Sequence, residues 1–362
     1  MSAALLNAGL GLPQAFARLL IDWQRLHGRS GLPWQHTRDP YRVWLSEVML
    51  QQTQVGTVLQ YFPRFLDRFP SVQALAAASA DEVMALWAGL GYYSRARNLH
   101  RCAQAVVAQH GGVFPVKAWE LQTLPGIGAS TAAAIAAFCH GERVSIVDGN
   151  VRRVLSRLLA FDGDLAQTTR QREMWDLAQA LLPDEPSPED MTTYTQGLMD
   201  LGATVCVRRR PACERCPVQT LCRAFDAGTV LNYPVKTRQL KRRHESWWLL
   251  LLCRRSLAGA GQVWLERRPA PGIWAGLYCP PVYSSEAALL AAVPEPCHAL
   301  FQPQQTVAHS LTHRELRLQP WLLDARELQP PLASGGQWVD LGALHAHGLP
   351  SPVRQMLTHL LA

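Results

Sequence analysis

The chain has 362 residues, and its 48% apolar content is ample for two hydrophobic cores. No run reaches the ~18 apolar residues that span a membrane. The N-terminus has no charged stretch ahead of an apolar core, so no secretory leader is expected, and the expected location is the cytosol or nucleoid. The net charge of +7 points to a polyanionic partner.

Pro13 to His27 puts Phe16, Leu19, Leu20 and Trp23 on one helical face. Gly31-Leu-Pro-Trp34 breaks the chain. Residues 40–69 read as two helices, with Pro40 in the first turn of one and Pro70 closing the other. Asp81–Trp87 and Ser94–Gln109 are expected helices on either side of the turn Gly89-Leu-Gly-Tyr-Tyr93. Pro125-Gly126-Ile127-Gly128 is a turn ahead of an Ala-rich helix. Asp148-Gly-Asn150 precedes the stripe Val151, Val154, Leu155 and Leu158, where Asp and Asn suit a helix cap. Met174–Leu182 and Thr192–Thr204 close a helical series in which no strand is convincing up to Cys222.

Composition then changes. Lys236, Arg238, Lys241, Arg242 and Arg243 form a basic linker, which is either simply solvated or follows a phosphate backbone. Strand-like runs follow at Trp247–Cys253, Gln262–Leu265 and Gly276–Cys279, with helices expected at Glu286–Ala292 and Pro352–Leu361. The expected division is a helical domain over residues 1–232, a linker at 233–245 and an α+β domain over 246–362.

Several groups carry candidate chemistry. Glu47, in Val43-Trp-Leu-Ser-Glu-Val-Met-Leu50, has apolar neighbours on nearly every side, so partial burial is expected. A carboxyl in an apolar pocket has a raised pKa and suits a general acid. Asp148, beside Gly149, Asn150 and two arginines, is in a setting that keeps a carboxylate ionised, although taken alone it reads first as a helix cap. Two carboxyls pushed apart in pKa are what glycosidic cleavage through an oxocarbenium-like transition state requires. The hairpin glycines, Gly126 and Gly128, fit a phosphate at a helix N-terminus or a plain αα-turn. Gln51-Gln-Thr-Gln54 is a polar helix end or a set of amides for base edges. Tyr92-Tyr93 belongs to the core or stacks on bases. Cys206, Cys213, Cys216 and Cys222 can wrap one metal centre. Structural zinc competes with an iron–sulfur cluster, but zinc sites usually pair two close doublets and only one exists here.

Together these stretches resemble the MutY-type adenine DNA glycosylases of the helix-hairpin-helix superfamily. The carrying residues are Gly31-Leu-Pro-Trp34, Trp44-Leu-Ser-Glu-Val-Met-Leu-Gln-Gln-Thr-Gln54, Gly89 to Asn98, Leu124–Thr131, Val147-Asp-Gly-Asn150, Met199-Asp-Leu-Gly202 and the four cysteines. The match is strongest over residues 31–225. It implies an all-α helix-hairpin-helix glycosylase domain with an iron–sulfur loop, plus an α+β Nudix-like C-terminal domain. The cysteine spacing resembles the [4Fe–4S] loop of the endonuclease III family.

The implied reaction removes adenine mispaired with 8-oxoguanine or guanine in double-stranded DNA, after flipping the base, by a monomeric enzyme. Glu47 would protonate adenine at N7. Asp148 would stabilise or trap the sugar cation, and Asn150 would help position it. Gln196 would sit in the adenine pocket. Gln52, with Thr53 beside it, and Leu90 and Tyr92 would fill or wedge the helix around the mispair. Ser130 stands where lyases of the superfamily carry a nucleophilic lysine, which implies a monofunctional enzyme. Leu311-Thr-His313 stands for the family's Phe-Ser-His loop, so Thr312 and His313 would face 8-oxoguanine without the aromatic. The glutamate-rich metal helix of true Nudix hydrolases is missing: Glu286 and Glu295 are isolated, so pyrophosphatase activity is not expected. The competing readings are a bifunctional oxidised-pyrimidine glycosylase with lyase activity and a non-enzymatic iron–sulfur DNA-binding protein.

Overall fold

Most of the helix boundaries follow from local chemistry. The structure is a computed structural model that describes residues 11–237, 242–255, 261–325 and 336–359. Arg238 and Lys241 of the basic linker, and Leu361 of the last expected helix, lie outside them. The chain divides into two compact units. Among the described residues, one holds 11–76 and 101–237, the other 77–100 and those from 242 onward. No helix among the described residues is long and apolar enough to cross a membrane.

The first unit is helical. It begins with α1 (Leu12–His27). Asp39 caps α2 (Pro40–Leu50) by accepting the Tyr41 N–H at 2.9 Å, and Pro40 occupies the first turn. Next come α3 (Val55–Arg68) and α4 (Val72–Ala77). Within the second unit lies α5 (Ala80–Trp87), opened by a Ser79–Glu82 capping box. The helix α6 (Ser94–His110) returns the chain to the first unit.

The hairpin joins α7 (Ala118–Leu121) to α8 (Ala129–His140). The alanines at 132, 133, 134, 136 and 137 of α8 are all buried. Their small side chains let α2 pack on α8 and α11 (Pro188–Asp200) pack there too. At Gly141 α8 ends in a left-handed conformation, φ +65°, where a Cβ would fall 2.7 Å from Pro188 Cα. Asp148 caps α9 (Gly149–Leu158), and α10 (Thr168–Ala180) follows.

At its C-terminal end α11 widens into a π-helical turn, Leu201–Val205, and the chain then enters the cysteine loop. A short helix, α12 (Arg223–Asp226), completes that loop. Among the described residues there is no strand before Cys222, as the sequence led us to expect.

The second unit is built on one eight-stranded sheet. The long strand β1 (Arg243–Arg255) lies between β2 (Gly261–Arg267) and β7 (Arg314–Asp324), with β3 (Tyr278–Cys279) outside β2 and β5 (Gln302–Pro303) outside β7. The β1–β7 pair is parallel, running from Arg243 opposite Arg314 to Cys253 opposite Asp324. Three further strands pair off this row: β4 (Val282–Tyr283) with β1, β6 (Val307–Ser310) with β7 and β8 (Gly336–Asp340) with β2. Leu249 to Leu252 are all buried, which is the pattern of a strand covered on both faces. Leu289 of α13 (Glu286–Ala291) joins Leu250, Leu252 and Leu323 in one core, and α14 (Ser351–His359) ends the described chain.

Ala77–His100 packs as part of this unit. Arg267 pairs with Asp81 at 2.7 Å, Tyr93 Oη donates to Leu349 O at 3.2 Å and Arg97 donates to Ala275 O at 2.6 Å. Compared with the sequence reading, β1 and β2 are longer at both ends and β4 to β8 are additional. Gly276, at φ +76°, turns the chain, so β3 starts only at Tyr278.

Candidate active site

The helix α2 presents Glu47 among buried Val43, Trp44, Leu45, Val48 and Met49. Glu47 is half-buried, and burial pushes its carboxyl up to about 8, with the negative charge of Asp148 adding to the rise. Asp148 is also raised by burial. The N–H groups of Val151 and Asn150 and the cations of Arg153 and Arg152 oppose that rise. The negative charge of Asp148 works in turn against ionisation of Glu47. Asp148 acts as the cap of α9: its carboxylate accepts Val151 N–H at 2.7 Å.

Asn150 is fixed from two sides. Its Oδ1 accepts Arg153 Nη2 at 2.9 Å, and Arg153 Nε reaches Cys206 O at 2.7 Å. Gly202, in the π-turn, lies so close that a Cβ there would fall 2.7 Å from Asn150 Cβ.

The hairpin leaves Gly126 and Gly128 exposed, with Ile127 buried between them. Gly126 adopts φ +78°, which a side chain would resist, whereas open space surrounds Gly128. No side chain caps α8 at Gly128, so its first N–H groups face outward, and half-buried Ser130 sits in that first turn. Where α2 ends, Gln51 Nε2 donates to Thr131 Oγ1 at 3.3 Å. Gln52 is exposed at φ +58° and Thr53 is half-buried beside it.

In the second unit Leu90 is buried, while Tyr92 is exposed at φ +46°. Left-handed backbone is rare for residues with a side chain and gathers at clamps and functional turns. Thr312 and His313 lie exposed on the loop between β6 and β7, and Thr312 Oγ1 donates to Tyr92 Oη at 3.4 Å. Two residues singled out 220 positions apart thus meet.

Gln196, half-buried on α11, donates through Nε2 to Asp200 Oδ1 at 2.9 Å. Cys206, Cys213, Cys216 and Cys222 line one hollow together with Arg157, Val205 and Phe225. Burial pushes the Cys216 thiol up to about 12 and raises Cys213 and Cys222 as well. Among the described residues, no three His, Cys, Asp or Glu side chains are set to hold a single metal ion.

Three groups escaped the sequence reading. Arg157 is buried and donates to Cys206 Sγ at 3.3 Å, Val207 O at 2.8 Å and Arg208 O at 3.1 Å. Its sole signal was a charge inside the apolar stripe of α9. Asp200 and Arg29 form a salt bridge at 2.6 Å. Asp200 stood within Met199-Asp-Leu-Gly202 without a role.

Residues 45–180 match the HhH-GPD superfamily base excision DNA repair proteins, and residues 256–359 match the NUDIX domain. With the helical hairpin and the sheet unit, this defines the class: a helix-hairpin-helix base-excision repair enzyme carrying a Nudix-like domain. Over 349 residues the chain is 31% identical to the adenine DNA glycosylase of Buchnera aphidicola subsp. Schizaphis graminum, covering 94% of this chain and 97% of that protein. It is 35% identical to the adenine DNA glycosylase of Homo sapiens, covering 94% of this chain and 73% of that one. A solved structure of a thermostable thymine-DNA glycosylase is 26% identical with a TM-score of 0.52, covering 59% of this chain and 97% of the other. The chain belongs to the adenine DNA glycosylase family: it is a base-excision repair enzyme, a hydrolase of N-glycosyl bonds.

Proposed function

We propose that this enzyme hydrolyses the N-glycosidic bond of adenine paired with 8-oxoguanine or guanine in duplex DNA, on a base flipped out of the stack. The observation that carries the reading is the pair of neighbouring carboxyls: Glu47, pushed up to about 8 by burial and by the charge of Asp148, beside an Asp148 met by donors and cations. At neutral pH Glu47 holds a proton to deliver. Adenine protonated at N7 is a better leaving group, and the sugar left behind becomes cationic. Asp148 lies ready to stabilise or trap that cation until water attacks, with Asn150 and Arg153 holding the backbone around it. Ser130 offers no amine for a Schiff base, so the reaction stops at the abasic site.

The same reading assigns the surrounding residues. Gly126, Gly128 and the first turn of α8 take a phosphate. Gln52, Thr53, Leu90 and Tyr92 engage the stack at the mispair, and the left-handed turns at Gln52 and Tyr92 support that role. Thr312 and His313 read 8-oxoguanine, and Gln196 lines the adenine pocket. The four cysteines line one hollow, and four thiolates at this spacing suit a [4Fe–4S] cluster. Held by those cysteines, the cluster would pin the loop that carries Arg208, Arg209 and Arg210, all exposed to meet phosphates. Cytosolic or nucleoid residence follows from such a substrate.

A single-turnover assay tests the whole reading. Duplexes carrying A:8-oxoguanine should break only after heat or alkali, and borohydride should trap no protein–DNA adduct. An adduct at the yield of a true lyase, or equal excision of adenine from A:T pairs, would overturn it.

A further inference from the structure

Asp200, the last residue of α11, is fully buried, at 0% exposure. A buried carboxylate is costly unless donors surround it. Arg29 supplies three: its backbone N–H to Oδ2 at 2.8 Å, and Nε and Nη2 to Oδ1 at 2.9 and 2.6 Å. Gln24 Nε2 donates to Oδ2 at 3.1 Å, and Gln196 Nε2 to Oδ1 at 2.9 Å. Arg29 is held in turn by its loop, since Gln35 Nε2 donates to Arg29 O at 2.9 Å while Gln35 Oε1 accepts Leu32 N–H at 3.1 Å. An ionised carboxylate only accepts hydrogen bonds. Turning the Gln196 carboxamide over would set two oxygens 2.9 Å apart. Chemistry therefore fixes the orientation of this amide: nitrogen toward Asp200, carbonyl oxygen away from it.

We propose that Asp200, with Arg29 as its counter-ion, is a positioning residue that locks the Gln196 carbonyl toward the base, so that the site accepts a 6-amino purine and refuses a 6-keto one. The inference rests on the reading that Gln196 lines the base pocket. A carbonyl oxygen facing an exocyclic amine gains a hydrogen bond. Facing a keto oxygen, it sets two acceptors against each other in a site closed to water. Asp200 itself need not touch the substrate.

The test compares single-turnover excision of adenine and of hypoxanthine, each opposite guanine, by full-length protein. Arg29→Met with Asp200→Asn presents an amide that either accepts or donates, with no guanidinium left to hold its oxygen toward Gln196, so Gln196 is free to turn. The adenine-to-hypoxanthine rate ratio should fall at least about tenfold, because a site built to hydrogen-bond a substrate group loses discrimination when the bond is lost. DNA affinity should stay unchanged. This double variant removes both charges, so no cation is left buried alone, and Arg29→Met with Asp200→Leu decides the matter if it does not fold. Gln196→Ala separates the two ideas. An unchanged ratio in Gln196→Ala would refute the base-pocket reading, and this inference with it. A collapsed ratio there, alongside a wild-type ratio in the Asp200 variants or an equal loss of both rates, would refute the positioning role alone.

Discussion

The working proton of Glu47 makes a pH profile the most searching experiment. Replacing Glu47 by Gln preserves shape and burial but removes the acid. Glu47 is raised to about 8, mainly by burial. With that value, roughly nine-tenths of the molecules hold the proton at pH 7 and roughly one-tenth at pH 9. The wild-type single-turnover rate should therefore fall about tenfold between pH 7 and pH 9, and about tenfold for each further unit. Glu47→Gln should lower the pH 7 rate by about 10²–10⁴-fold, the usual contribution of general acid catalysis, and its residual rate should not decline between pH 7 and pH 9.

The same proton governs stability. The folded-state pKa of about 8 exceeds the ordinary value of 4.5, so the folded chain keeps a proton that the unfolded chain releases. Stability is complete below about 4.5 and is lost, at up to about 1.4 kcal/mol per unit, as pH rises to about 8. Glu47→Gln should thus match the parent in melting temperature at pH 5 and exceed it at pH 8. Unfolding is measured by circular dichroism, activity by quenched strand cleavage on A:8-oxoguanine duplexes. A flat wild-type rate from pH 6 to pH 10, with DNA binding intact, would defeat the reasoning. So would a variant that keeps the wild-type profile.

Two other outcomes follow. Asp148→Asn retains a good helix cap but loses the charge. Its single-turnover rate should drop by at least about a hundredfold with little change in melting, and the alkaline limb of its residual activity should shift to lower pH, because one of the two causes raising Glu47 is gone; an unshifted limb would contradict the coupling. Purified protein should be yellow-brown, absorb near ~400 nm and contain about four irons per chain, whereas colourless protein with stoichiometric zinc would dismiss the cluster.

The helical unit was largely legible in the sequence because its signals are local. Pro40 and Asp148-Gly-Asn150 announce helix starts, and both act as such. Glu47 could be marked because apolar residues crowd it within a single helix. Asp200 and Arg157 could not, since a buried charge and a solvated one look alike in sequence. What separates them is the partner: Arg29 lies 171 residues from Asp200, and the carbonyls that hold Arg157 lie about 50 residues away. The sheet was partly legible. The apolar run in β1 is plain, but β7 carries Pro320 opposite Leu249 in a parallel ladder, and proline argues against a strand. That Ala77–His100 belongs with strands far downstream leaves no trace in chain order, because each of its anchors, Asp81, Tyr93 and Arg97, reads as an ordinary helix or turn residue.

That interleaved unit constrains how the gene can be cut and rejoined. A chimera that takes its last 120 or so residues from a relative and everything else from this chain would keep Asp81, Tyr93 and Arg97 but exchange the groups they grip at Arg267, Leu349 and Ala275. The natural module for exchange is discontinuous: Ala77–His100 must travel with the C-terminal strands. Substitutions that survive selection in one piece should therefore be judged against the other. Libraries that shuffle this family at a single crossover after the cysteine loop would break those contacts, whereas libraries with two linked crossovers would carry them over intact.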